Sequence, residues 1–130
     1  MTTYSETIVA RARALIGVRF RPQGRSPASG LDCIGVVAAA IGAPDPHRDY
    51  PLRGGSAARL RAGLAAAGLR AVKAARPGDV LVLQPGPAQL HLGIFTGAGL
   101  VHGDAGLGRV VERPGPAPWA ILSIWRTGED

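Results

Sequence analysis

One thiol and two histidines carry the chemistry this sequence can offer. Cys33 is the only cysteine of the 130 residues. It stands in GLDCIGVVAAAIG, with glycine and aspartate just before it and an apolar helical run just after. Asp32 is a strong helix N-cap, which places Cys33 in the first helical turn. A helix N-terminus carries about half a positive charge and can draw a thiol toward the thiolate. His91 in LHLGIF and His102 in GLVHGD follow on strand-like segments. A thiol at a helix start with imidazoles on later strands is the set that a cysteine hydrolase needs. A lone cysteine is more often a buried, inert structural thiol. The cap, the polar Gly/Pro-rich approach RPQGRSPASGL, and rigid strand positions for both histidines favour chemistry here.

The elements that must position these groups read as follows. Thr3 to Ile16 has the pattern of an amphipathic helix, with Thr3 and Glu6 as a capping box and Ile8, Ala12, Leu15 and Ile16 on one stripe. Val18 to Leu31 reads as a loop. Cys33 to Ile41 is expected to be a core helix, apolar nearly all round and stopped by Gly42. Residues 43 to 55 are irregular and proline-rich, and Ser56 can cap a third helix over Ala57 to Ala67. Strands are expected at Leu69–Val72, Val80–Leu83, Leu90–Phe95, Leu100–His102, Arg109–Glu112 and Trp119–Trp125. RPGD, QPGP, TGAG and RPGPAP separate several of them. Helices first and an antiparallel meander after give an α+β fold in a single domain spanning residues 1–130.

Within Leu90–Phe95, alternation puts His91, Gly93 and Phe95 on one face. If the second helix packs on that face, His91 meets Cys33, and Gly93 leaves room for the approach. His102, across the TGAG hairpin, is then placed to orient His91, with Asp104 as the other candidate. Asp32 acts first as the helix cap and secondarily as a substrate contact. Arg21 and Arg25 read as solvated charges. His47 has no partner in its proline-rich loop. One cysteine and three separated histidines show no paired ligand spacing, so no zinc site and no cofactor are expected.

The net charge of +6 comes from fourteen arginines and one lysine against nine acidic residues. It allows attraction to an anionic polymer. No nucleic-acid-binding module is visible, and few aromatics are available for base stacking, so nucleic acid is not an expected partner. No apolar run reaches the ~18 residues of a membrane span. The first residues lack the features of a secretory signal, so synthesis in the cytoplasm without a signal peptide is expected.

The order DCIG, then RPGDVLVL, then HLGIFTGAGLVHG resembles the NlpC family of papain-like cell-wall cysteine peptidases. The resemblance runs from about Val9 to Val111. It implies a papain-like fold with N-terminal helices on an antiparallel sheet. It also implies Cys33 as nucleophile, His91 as base and His102 as the third catalytic residue. The implied reaction is hydrolysis of an amide in a peptidoglycan stem peptide, usually the γ-D-glutamyl to diamino-acid bond. Ile34 stands where the family has a serine that receives the substrate's amino end, and Phe20 stands where it has a tyrosine. The GVRFRPQGR segment and the short chain are similar to phage-tail and gene-transfer-agent members, which implies hub proteins as partners and action at the wall from a particle. An amidase or acyl-transfer enzyme of the same fold, a weakly active tail subunit and a wall-degrading toxin are the other readings.

Overall fold

The computed structural model describes residues 3–42 and 56–128. Residues 43–55, expected from sequence to be irregular, and His47 with them, lie outside the described residues. Helix α1 (Tyr4–Ala14) starts where the Thr3 hydroxyl accepts from the Glu6 N–H. Its buried stripe is Ile8, Val9 and Ala12, continued by Leu15 past its end. Ile16, expected on that stripe, is 46% exposed because the helix has already ended. The loop that follows holds a small hairpin, β1 (Arg25–Ser26) with β2 (Gly30–Leu31).

Helix α2 (Cys33–Ile41) has the expected bounds, with Asp32 at one end and left-handed Gly42 at the other. It is buried on nearly every side. The Tyr4 hydroxyl donates to the Ile41 carbonyl at 2.9 Å and ties α1 to its C-terminus. Helix α3 (Ala57–Ala66) is capped by Ser56 and buries only Leu60 and Leu64.

The remaining strands are β3 (Leu69–Val72), β4 (Val80–Gly86), β5 (Gln89–Phe95), β6 (Gly99–Asp104), β7 (Arg109–Pro114) and β8 (Ala120–Thr127). They form one antiparallel sheet in the order β3-β8-β4-β5-β6-β7. The expected meander holds from β4 to β7 only. β8 crosses back to lie between β3 and β4, where Trp125 faces Val80 and Ala71 across the two ladders. QPGP was expected to end β4, yet the strand bends through a register shift between Leu83 and Gly86 and runs on.

The turn before β4 is held twice. The Arg76 N–H donates to Asp79 at 2.8 Å, and Arg126 of β8 grips both oxygens of the same carboxylate at 2.9 and 2.7 Å. Asp79 is almost fully buried, so this fork is the pairing that makes its charge tolerable.

Each face of the sheet buries a different set. Leu90, Leu92 and Ile94 of β5 join Cys33, Val36, Val37, Val80, Val82 and Val101 in the main core under the helices. Leu81, Leu83 and Leu100 form a second cluster on the opposite face, covered by Phe95, Trp119 and Ile124. Helix α2 therefore packs on the leucine face of β5, not on the His91 face as expected. The cause is burial: three large apolar side chains outweigh His, Gly and Phe as a seat for an apolar helix.

Candidate active site

The start of α2 is fixed by one carboxylate. Asp32 is 6% exposed. Its Oδ1 accepts from the Gly35 N–H at 2.9 Å and from Arg25 Nη1 at 2.7 Å, and its Oδ2 accepts from the Gln23 N–H at 3.1 Å. Both oxygens are engaged, which makes Asp32 first of all a structural cap. Arg25, read from sequence as a solvated charge, is buried against it. Arg21 is exposed, as expected.

Cys33 is 1% exposed, and its sulfur lies among backbone donors. The N–H groups of Leu92 and Ile34 favour its thiolate, as does the charge of Arg25. Burial and the neighbouring Asp32 charge outweigh them, and the thiol is pushed up to about 12. The sequence expectation of a thiol drawn toward thiolate is therefore corrected. A helix-end half charge does not offset full desolvation plus an adjacent carboxylate. The Cys33 N–H has no acceptor among the described residues and stays available to an oxyanion.

β5 and β6 pair only at Ile94–Val101 and Phe95–Leu100. Toward His91 and His102 they part, and the start of α2 lies against the gap. A side-chain carbon at Gly103 would sit 3.5 Å from the Cys33 nitrogen and 3.3 Å from the Phe20 ring. Phe20 thus flanks the thiol without a hydroxyl to offer. Ile34 is half-buried and packs on the main core. At Gly93 the place of the missing Cβ is taken by the Leu100 side chain, so the room expected there is filled from β6.

The histidines come together across the gap. His91 Nε2 and His102 Nδ1 are 2.9 Å apart, with the rings edge to face. Burial first, and His102 second, lower His91 to about 4; Asp104 opposes them. Burial also lowers His102, against Asp104 and the Gly103 backbone. Both rings are neutral at pH 7. Since His102 occupies Nε2 of His91, Nδ1 is the nitrogen left for a substrate or thiol. No hydrogen bond joins Cys33 to His91 among the described residues; the sulfur instead meets β5 at Leu92, one residue on.

Trp119 is a site residue that no local sequence signal marks. Its ring stands edge to face on both His91, at 5.3 Å, and His102, at 5.6 Å. With Pro85, Asp104 and Ala105 it walls an open cleft of about 120 Å³ over the two histidines. RPGPAP just before it is a turn signal, and only the three-dimensional return of β8 brings the indole here. A larger hollow of about 310 Å³ lies at the other end of β4, floored by the partnered Asp79–Arg126 pair. No group of three or more potential metal ligands occurs among the described residues.

No protein-family model matches the sequence, and neither does any curated protein. Solved structures do. NlpC1 from Trichomonas vaginalis superposes with a TM-score of 0.70 at 17% identity, over 98% of this chain and 46% of that one. The peptidoglycan hydrolase RipB from Mycobacterium tuberculosis gives 0.59 at 23%, over 95% and 64%. The chain thus spans less than two thirds of either. RipD from the same organism, a non-catalytic NlpC/p60 domain protein adapted to peptidoglycan binding, gives 0.62 at 16%, over 97% and 98%. With helices first, a six-stranded antiparallel sheet, and the Cys33 helix set against the parting of β5 and β6, the chain has the NlpC/p60 fold.

Proposed function

We propose that this chain hydrolyses an amide in peptidoglycan stem peptides by thiol chemistry. The observation that carries the reading is the His91 Nε2 to His102 Nδ1 bond at 2.9 Å beside a thiol that begins a helix and meets β5 at Leu92. Cys33 and His91 start neutral. As the sulfur attacks the carbonyl carbon, its proton passes to Nδ1 of His91 and the carbonyl oxygen takes the negative charge at the Cys33 N–H. Collapse breaks the carbon–nitrogen bond, and His91 returns the proton to the departing amine. Water, deprotonated by the same imidazole, then attacks the acyl carbon, the carbon–sulfur bond breaks, and the imidazole returns the proton to the departing sulfur. His102 holds the ring of His91 in register throughout.

The bond proposed is the γ-D-glutamyl to diamino-acid amide, and the setting proposed is a phage-like particle with hub proteins as partners, made in the cytoplasm and acting at the wall. The DCIG, RPGD and HLGIF…VHG motifs support the first, and the GVRFRPQGR segment supports the second. Purified peptidoglycan incubated with the chain and analysed by mass spectrometry tests the reading. Release of stem-peptide fragments that is lost in Cys33→Ala is the expected result. Undiminished release by that variant overturns the mechanism.

A second reading, wall binding or assembly without turnover, is favoured by the 1% exposure of Cys33 and its raised thiol. Retention on insoluble peptidoglycan with no fragment released would select it. An amidase or acyl-transfer route would instead release a product of different mass.

A further inference from the structure

The cleft over the histidines contains one formal charge. Asp104 lies at its rim, half-buried, and belongs to the same sheet face as His102. One carboxylate oxygen accepts from the Leu107 N–H at 2.9 Å. No described group bonds the other oxygen. Arg109 stands opposite Asp104 in the β6–β7 ladder, yet the two form no ion pair. The remaining walls, Pro85, Ala105 and Trp119, are largely apolar. An unpaired carboxylate oxygen beside such walls gains from a cation that arrives with a ligand.

The place of the cleft in the reaction follows from its neighbours. Cys33, which holds the acyl half in the proposed reaction, does not line it, whereas His91, which protonates the departing amine, does. The cleft therefore faces the leaving-group half of the substrate. Asp32, the other acid near the thiol, is consumed by Gly35, Arg25 and Gln23.

We infer that Asp104 is the specificity residue of this cleft, pairing with a primary ammonium on the leaving-group side of the scissile amide. The ammonium is the side-chain amine of a diamino acid. It sits between the free oxygen of Asp104 and the rim of Trp119, with its carbon stem along Pro85 and Ala105. This inference rests on the proposed hydrolase reading and adds the group by which the substrate is chosen.

The test uses the full chain carrying Cys33→Ala, so that no turnover intervenes, and calorimetric titration with two probes. One is γ-D-glutamyl-L-lysine amide, and the other is the same peptide acetylated on the lysine side chain. The free amine binds about tenfold tighter than the acetylated form, the scale of one half-buried ion pair. Asp104→Asn keeps the acceptor for Leu107 and so the loop; it abolishes the preference while leaving the acetylated peptide unchanged. An equal preference with and without Asp104, or no binding of either probe, overturns the inference. Hydrolysis by the unsubstituted chain is scored separately. Preference without hydrolysis upholds the ammonium site and removes the hydrolase reading; hydrolysis without preference does the reverse.

Discussion

Alkylation of Cys33 is the sharpest probe, because no other thiol contributes to the signal. A free cysteine with a pKa of ~8.5 is about 3% thiolate at pH 7. At about 12, Cys33 is thiolate in only about one molecule in 100,000. Iodoacetamide at pH 7 should therefore label the folded chain roughly 3,000-fold more slowly than the denatured chain, before its 1% exposure slows it further. The same shift enters stability. The folded state keeps the proton that the unfolded chain loses near ~8.5, so stability is intact below that pH and falls as pH rises toward 12. The loss is about 1.4 kcal/mol per pH unit over roughly 3.5 units, or about 5 kcal/mol in all. Urea melts at pH 8 and pH 10.5 measure about 2.5 kcal/mol of it, with Cys33→Ala as the reference in which this part of the pH slope is absent. Labelling at pH 6 to 7 as fast as in urea, or identical pH slopes for the two proteins, would refute a buried neutral thiol and restore the thiolate–imidazolium pair.

Three further outcomes follow from the packing. Arg25→Ala should cost about 3–5 kcal/mol in urea melts, since it leaves Asp32 buried without its cation at the start of α2. Gly93→Ala should cost about 1–3 kcal/mol because its methyl group meets Leu100, and Leu100→Ala in the same chain should recover part of that loss. His91 lies below its unfolded value of ~6.5, so the unfolded chain takes the proton first and stability falls as pH drops from 6.5 toward 4. Protonated imidazole quenches indole emission, and Trp119 touches the ring. Fluorescence should drop near pH 4 in the parent chain and lose that step in Trp119→Phe.

Local chemistry was legible from the sequence wherever one residue type dictates one backbone state. Asp32 and Gly42 bracket α2 as expected, and Pro77–Gly78 marks the turn before β4. Alternation correctly grouped His91 with Gly93 and Phe95, but it could not say which face would receive the helix. β5 is buried on both faces, and the deciding term is the summed area of Leu90, Leu92 and Ile94. Long-range partners were hidden. Arg126 closes on Asp79 from 47 residues away, and Arg25 passes for a surface charge until its carboxylate is placed. Among the site residues, the His91–His102 pairing was accessible because a short hairpin joins them. Trp119 was not, since no local pattern carries β8 back between β3 and β4.

That return of β8 has a consequence for how the chain is made. β3 and β4 are translated well before Ala120–Thr127, yet neither reaches its interior neighbour until that strand has emerged. Until then, β3 has no ladder and β4 offers Leu81 and Val82 on an open edge beside β5. A ribosome paused after Pro118 would present an unfinished sheet with adhesive apolar strands, the state that invites aggregation or chaperone capture. The indole over the histidines arrives with the same stretch of chain, so the cleft over the histidines and the sheet are completed together once that stretch has emerged.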